Sequence, residues 1–426
     1  MLNVKSKKFS YWRQRIIISS FCGYVLFYFL RKSFVFVMPA ISKELYLTSA
    51  AIGLLNTILY ISYGFSKVFN SFLIDVLNPR YFMVTGLLFT CIFTICISLS
   101  NSYTYLVLFC CVTGWFQGFG WPAVTKQLTH WFSKQERGFW WGLCSTSHTI
   151  GGALSALVCG FLVKYFGWRF SIYAPTLLCL LLCFILLERL RGTPKSLNLP
   201  TATEHYIKYR KPKKVRIIII KKRSKNMYVT QIIKNKFIWL LSIAYLLTYA
   251  VKTAINDWTI LYLVNQKEYT LTEACTTLFW FEVGGLLGIY VTGTIVGSLC
   301  KKKKIVYLLT TYVALIGSLI LLYVIPHIKL HVAIILLTLI GFLIFSPQML
   351  IGLIATESTD IKIACAANGF VSGWAYVGAA ITGYPLGLLL GYSWDNLFIF
   401  LLTCSLLTLY PLLILLKRLT TQIRLN

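Results

Sequence analysis

Stretches of roughly 20 apolar residues recur about twelve times along this chain of 426 residues, each near the length a helix needs to cross a hydrocarbon core of about 30 Å. Hydrophobic residues make up 58% of the sequence, aromatics 16%, and the mean hydropathy is +0.73, too apolar for a soluble multidomain protein. The runs fall near 16-39, 49-73, 81-100, 104-128, 139-163, 170-189, 237-264, 273-299, 305-325, 332-355, 363-390 and 397-416. They predict an all-α membrane protein with twelve transmembrane helices. The first run does not read as a cleaved signal peptide, because Arg31 and Lys32 interrupt it and no small-residue cleavage site precedes them.

A net charge of +29 raises the question of nucleic acid, and its placement answers it. Lys5, Lys7, Lys8, Arg13 and Arg15 precede span 1, Arg80, Lys134 and Arg137 follow spans 2 and 4, and Lys301 to Lys304 follow span 8. Lys417 and Arg418 follow span 12, while the opposite loops hold scattered cations such as Lys43 and Lys164. Excess Lys and Arg on one side marks the cytoplasmic face, which puts both termini and the central loop there. The charge is thus explained by topology and attraction to anionic lipid rather than by nucleic acid.

Residues 191-235 form the one long polar connection and divide six spans (1-190) from six (236-426). They run through Lys208, Arg210, Lys211, Lys213, Lys214 and Arg216 to Lys221-Lys222-Arg223, and Ile217 to Ile220 is too short to cross. The stretch reads as a linker resting on the lipid surface, with a docking site for a regulatory partner as the alternative. The thirteen Cys lie mostly within spans, Cys22, Cys91, Cys96, Cys110, Cys111, Cys159 and Cys404 among them, and none forms a C-x2-C pair, so they read as small packing residues.

The two halves repeat. Tyr24, Tyr28 and Arg31 in span 1 return as Tyr245, Tyr249 and Lys252 in span 7, each 221 residues on. Positions i, i+4 and i+7 share a helix face, so each copy presents two phenols and a cation together. Gly152-Ala153 matches Gly378-Ala379, Trp168 matches Trp394, and Pro122 matches Pro347 at similar offsets.

Ionisable residues within the spans are few: Arg31, Lys32, Lys67, Lys126, His148, Lys252, Asp257 and Glu282. A charge at membrane depth costs about 2.5 to 3.5 kcal/mol on insertion scales and marks a pathway or a binding site. Because cations exceed acids, a cavity they line suits a dianion such as a phosphate ester, which Arg meets with a rigid fork and Lys with a point charge. Lys32 and Lys126 are equally well explained by snorkelling or helix packing. Asp257 and Glu282 read as internal counter-ions. His148 lies in a stretch rich in small and polar residues that faces protein or cavity, and is either a ligand contact or a satisfied hydrogen-bonding residue. Trp115, Gln117 and Trp121 in span 4 form either a sugar platform or ordinary packing. There is no phosphate-binding G-x4-G-K-[ST], no metal-ligand cluster and no nucleophile elbow, so neither an enzyme nor a cofactor is expected.

Gly23-Tyr24 to Arg31-Lys32-Ser33, Gly114-Trp115-Phe116-Gln117-Gly118-Phe119-Gly120-Trp121-Pro122 and Ser145-Thr146-Ser147-His148 resemble the organophosphate:phosphate antiporters of the major facilitator superfamily. So do Ala254-Ile255-Asn256-Asp257-Trp258, Phe281-Glu282-Val283-Gly284-Gly285 and Ser346-Pro347-Gln348-Met349-Leu350-Ile351-Gly352, the second-half motifs being most similar to the hexose-phosphate branch of transporters and sensors. The resemblance implies two six-helix repeats with the substrate near the midplane. It implies that Arg31 and Lys252 grip a phosphate, with Tyr24, Tyr28, Lys67, Trp121, His148, Tyr249, Glu282 and Tyr376 around it. Gln117, Asn256 and Asp257 lie in the same motifs and complete the candidate site. It also implies exchange of a sugar phosphate, glucose 6-phosphate above all, for inorganic phosphate, by a monomer in a bacterial inner membrane. The alternative is a hexose-phosphate receptor that signals through a partner protein. Two departures stand out: Lys252 where bacterial members commonly carry Arg, and Gly297 where the acid of the loop after span 8 is missing, though Asp75 and Arg80 keep the motif after span 2. Val251-Lys252-Thr253 instead resembles the eukaryotic glucose 6-phosphate translocase.

Overall fold

The computed structural model describes residues 2–74, 76–202, 204–205, 232–296, 299–325, 329–358 and 364–425. Asp75, Gly297 and the linker from Lys208 through Ile217–Ile220 to Arg223 lie outside the described residues. Among the described residues there is no strand. The first half contains α1 (Leu2–Phe36), α2 (Met38–Glu44), α3 (Ser49–Leu73), α4 (Pro79–Leu99), α5 (Tyr103–Gln117), α6 (Gly120–Trp131), α7 (Lys134–Ser145) and α8 (Ser147–Arg189). The second contains α9 (Lys236–Gln266), α10 (Leu271–Val291), α11 (Lys301–Val324), α12 (Leu330–Glu357), α13 (Ala364–Ile381), α14 (Tyr384–Leu390) and α15 (Asp395–Leu425).

Eleven helical stretches among the described residues are long and apolar enough to span a bilayer, and the longest, Phe139–Arg189, has 51 residues. At 1.5 Å per residue it is more than twice the roughly 30 Å required, so it holds two crossings and the total agrees with twelve. The turn between them is Gly167, at φ 82° and ψ 168°, a conformation that glycine adopts without steric cost. Other spans are broken within the bilayer. Tyr103–Trp131 is interrupted at Gly118-Phe119, and Pro122 falls in the first turn of α6, where its missing N–H has no intrahelical partner to lose. At the α7–α8 break the hydroxyls of Ser145, Thr146 and Thr149 donate to the carbonyls of Trp141, Leu143 and Thr146. Side-chain donors of this kind satisfy backbone freed inside a membrane, which explains why the stretch around His148 is so rich in Ser and Thr.

The chain divides into two compact units. One comprises Met1–Phe34, Ser62–Ser155 and Arg169–Lys222, the other Val35–Ile61, Ala156–Trp168 and Arg223–Asn426. They cut across the helices of the first half instead of following the chain divisions 1-190, 191-235 and 236-426.

In the first unit α3 lies against α5, with Ser62 Oγ donating to the carbonyl of Cys111 at 2.6 Å, and the rings of Phe82 and Phe119 stack at 4.4 Å between α4 and α6. Lys126 donates to the carbonyls of Ile74 and, at 2.9 Å, Leu77, so it closes the end of α3. Of its two sequence readings, packing is the one seen. Arg13 pairs with Glu136 at 3.1 Å and Arg15 with Glu188 at 2.9 Å, tying the start of α1 to α7 and α8.

In the second unit α10 and α12 meet through glycines: a Cβ on Gly284 would stand 1.9 Å from the carbonyl oxygen of Thr338, and one on Gly341 2.0 Å from that of Phe281. Small residues of this kind let membrane helices approach backbone to backbone. The same unit takes in the half of α3 nearest its N-terminus. There Thr57 Oγ1 donates to the carbonyl of Ala380 at 3.1 Å and accepts from the N–H of Tyr384 at 2.6 Å. At the other end of the unit Lys304, 1% exposed, donates to both carboxylate oxygens of Glu357 at 2.6 and 2.7 Å.

Candidate functional site

The repeat read in the sequence returns as a repeated geometry, once in each unit. In the first, on α1, the rings of Tyr24 and Tyr28 lie 5.3 Å apart at 63°, and the Arg31 guanidinium carbon is 4.6 Å from the centre of Tyr28. In the second, on α9, Tyr245 and Tyr249 lie 5.2 Å apart at 61°, and Lys252 Nζ is 5.3 Å from the centre of Tyr249. Both cations are buried, at 6% and 8% exposed. Heptad-like spacing stacks the three side chains along one face, and each cation rests on the ring one turn back, where the negative face of the π-system stabilises it.

Around Arg31 the first unit gathers groups from four further helices, α3, α5, α6 and α8. Arg31 Nε donates to Gln117 Oε1 at the end of α5, and its guanidinium lies 3.9 Å from the ring centre of Tyr63 on α3. Lys67, one turn further along α3, has its ammonium 5.9 Å from the same ring. Tyr28 meets the ring of His148 at 5.4 Å, and Tyr24 meets Trp121 at 5.1 Å. His148 Nδ1 is in hydrogen-bond contact with the carbonyl of Ser145, so the satisfied-histidine reading holds for that nitrogen while the ring still borders the cluster. The proposed platform separates: Gln117 and Trp121 join the Arg31 group, whereas Trp115 is 37% exposed and faces Phe69 at 5.9 Å.

Around Lys252 the second unit gathers α10, α12, α13 and the N-terminal half of α3. Nζ lies 4.1 Å from the ring centre of Phe345. Gln348 Nε2 donates to the Tyr249 hydroxyl at 3.3 Å, and Tyr376 approaches Tyr249 at 6.1 Å. Asn256, one turn beyond Lys252, donates from Nδ2 to the Lys252 carbonyl at 3.3 Å. Asp257 accepts a 2.7 Å hydrogen bond from Tyr60. Glu282 is buried on α10, at 3% exposed.

Three buried amide atoms in these clusters have no hydrogen-bond partner among the described residues: Gln117 Nε2, Asn256 Oδ1 and Gln348 Oε1. Native proteins rarely leave such atoms unsatisfied, so each can form a hydrogen bond with water or with a bound molecule. Sequence reasoning missed Tyr63 and Gln348 as site residues. The Tyr60, Tyr63, Lys67 spacing of i, i+3, i+7 was a legible signal for the first, and an amide inside an apolar helix beside Pro347 was the signal for the second.

Residues 20–381 match the family model of the Major Facilitator Superfamily. A probable hexose phosphate transport protein of Chlamydia trachomatis is 40% identical over 420 residues, covering 95% of this chain and 91% of that protein. The membrane sensor protein UhpC of Escherichia coli is 35% identical over 395 residues, covering 92% of this chain and 89% of that one. A bacterial homolog of the human lysosomal transporter Spinster, solved in an inward-facing and occupied conformation, shares the fold at a TM-score of 0.71, with 14% identity over 96% of this chain and 97% of that chain. The chain belongs to the Major Facilitator Superfamily, in its organophosphate:phosphate antiporter family and the hexose-phosphate transporter and sensor branch of that family.

Proposed function

We propose that the protein exchanges a hexose phosphate, glucose 6-phosphate in particular, for inorganic phosphate across an inner membrane by rocker-switch alternating access. The observation that carries this is the duplicated Tyr-Tyr-cation triad, which provides one buried cation in each unit on matching aromatic supports. Arg31 and Lys252 are the phosphate ligands in this reading, with Tyr24, Tyr28, Lys67, Gln117, Trp121 and His148 beside the first and Tyr249, Asn256, Asp257, Glu282 and Tyr376 beside the second. Two six-helix halves, 1-190 and 236-426, joined by the linker 191-235, form a monomer with both termini cytoplasmic, and the basic linker rests on anionic lipid. A phosphate ester without net-charge compensation needs this surplus of cations, and a neutral sugar does not.

The relative named as a membrane sensor favours a second reading, a receptor that binds the same ligand and signals through a partner. Counterflow in proteoliposomes separates them. Labelled phosphate leaving against external glucose 6-phosphate supports the antiporter, binding without flux supports the receptor, and flux that needs no counter-substrate contradicts both. Free glucose should compete at least about tenfold less well than its 6-phosphate, since a hydrogen bond to a charged group contributes about 1.5 to 3 kcal/mol and 1.4 kcal/mol is a factor of ten.

A further inference from the structure

We propose that Gln348 and Asn256 read the sugar hydroxyls of the substrate, and that this pair makes the second unit prefer a hexose phosphate to inorganic phosphate. The inference rests on the sugar-phosphate reading above and assigns the part of the ligand that the cations do not hold.

The chemistry of the unsatisfied atoms carries it. Beside Arg31 the partnerless atom is Gln117 Nε2, a donor, which suits a phosphate oxygen. Beside Lys252 the partnerless atoms are Gln348 Oε1 and Asn256 Oδ1, both acceptors. A phosphate ester dianion has only acceptor oxygens and inorganic phosphate as its dianion has a single O–H, so the phosphate group by itself cannot satisfy both of them. A sugar hydroxyl has an O–H to give. Each amide is already held at one end, Asn256 by its bond to the Lys252 carbonyl, an acceptor that requires the amide NH2 and so turns Oδ1 away, and Gln348 by its bond to the Tyr249 hydroxyl. Preorganised acceptors of this kind discriminate strongly against an analogue that lacks the matching hydroxyl, because the buried acceptor is then left unpaired. Gln348 on α12 bonds Tyr249 and Asn256 on α9 lies one turn beyond Lys252, which places the hydroxyl-reading groups beside the second triad.

The test compares ligands on one reconstituted protein. The affinities for glucose 6-phosphate and for inorganic phosphate are measured by competition, and their ratio is followed through Gln348→Met, which keeps length and loses the amide. The ratio is expected to move about tenfold against glucose 6-phosphate, the size of one lost hydrogen bond of about 1.4 kcal/mol. A series of 2-, 3- and 4-deoxyglucose 6-phosphates should contain one member that wild type binds several-fold more weakly, and Gln348→Met should no longer distinguish that member from glucose 6-phosphate. A purely structural role for Gln348 would weaken all members of the series alike. A ratio unmoved in Gln348→Met overturns the proposal, as does a wild-type protein indifferent to every deoxygenation, an outcome that needs no variant to be seen. Wild type that binds phosphate and ignores glucose 6-phosphate altogether would instead overturn the reading on which the proposal stands.

Discussion

The hydroxyl of Tyr60 donates a 2.7 Å hydrogen bond to Oδ2 of Asp257, joining α3 to the helix that carries Lys252. Both side chains are buried, at 8% and 1% exposed, so the bond is made where a carboxylate depends on its donors. It sits beside the Thr57 contacts to Ala380 and Tyr384, and together they hold the first half of α3 within the second unit. Tyr60→Phe is therefore expected to destabilise the protein by about 1.5 to 3 kcal/mol, the range for a hydrogen bond to a charged group. Thermal unfolding in detergent reads this out. Adding Asp257→Asn to Tyr60→Phe should cost little more than either change alone, because the charge needing the donor has gone. A Tyr60→Phe midpoint equal to wild type would show that the bond contributes nothing.

Arg31 is held between a ring above and an amide beside it, and these supports predict a graded series. Arg31→Ala removes the cation and is expected to abolish phosphate binding while the protein still elutes as a folded species, since its loss relieves repulsion from Lys67. Tyr63→Phe keeps the ring 3.9 Å from the guanidinium and should bind phosphate much as wild type does. Tyr63→Leu loses a desolvated cation–π contact of about 0.5 to 2 kcal/mol, so phosphate binding should weaken roughly two- to thirtyfold. Radiolabelled phosphate binding to purified protein measures all three, and wild-type affinity in Arg31→Ala would remove Arg31 from the site.

Much of this was legible in the sequence because the bilayer imposes long apolar runs, and a cation inside one of them cannot be incidental. Arg31, Lys252 and their tyrosines were found that way, and the 221-residue offset alone tied the two copies together. The break at Gly167 was anticipated as a boundary between spans 5 and 6, but not that the turn would need so little chain. Lys126 carried the same charge signal as Lys67 and yet caps α3, because charge at depth does not tell a carbonyl partner from a ligand. Gln348 was quoted in a motif without a role. An uncharged amide costs little enough in an apolar helix that only the geometry, with one end bound and the other unsatisfied, separates it from packing.

The Lys304–Glu357 pair gives a prediction free of any ligand. Lys304 is buried while Glu357 is a third exposed, so the carboxylate retains part of its hydration and the pair is asymmetric. Breaking a buried pair from one side strands the other charge, at about 3 to 5 kcal/mol when both are fully buried, and less here because solvent screens Glu357. Glu357→Gln should be the harsher change, since it leaves the buried ammonium of Lys304 without its counter-charge. Lys304→Met leaves a carboxylate that water can reach. Unfolding midpoints in that order support the asymmetry, and the reverse order contradicts it.

Lys252 tests whether the second copy of the triad binds phosphate or serves only to balance charge. Its ammonium lies over Phe345 at 4.1 Å and near Tyr249 at 5.3 Å, two aromatic faces that help to hold a cation. If it binds phosphate, charge matters more than shape. Lys252→Arg should then keep measurable exchange and Lys252→Gln should lose nearly all of it. The guanidinium reaches further and prefers two-point contact, so the Arg variant should bind phosphate more tightly and turn over more slowly. If Lys252 serves only to balance Asp257, five residues on and displaced around the helix, removing both charges should cost nothing. Asp257 already accepts from Tyr60, so its carboxylate does not depend on Lys252 alone for a partner. Lys252→Gln combined with Asp257→Asn is therefore expected to remain inactive in phosphate exchange, with a midpoint of unfolding near that of Asp257→Asn alone. Exchange restored to the wild-type rate in that double variant would make Lys252 a counter-ion and leave Arg31 to hold the phosphate by itself.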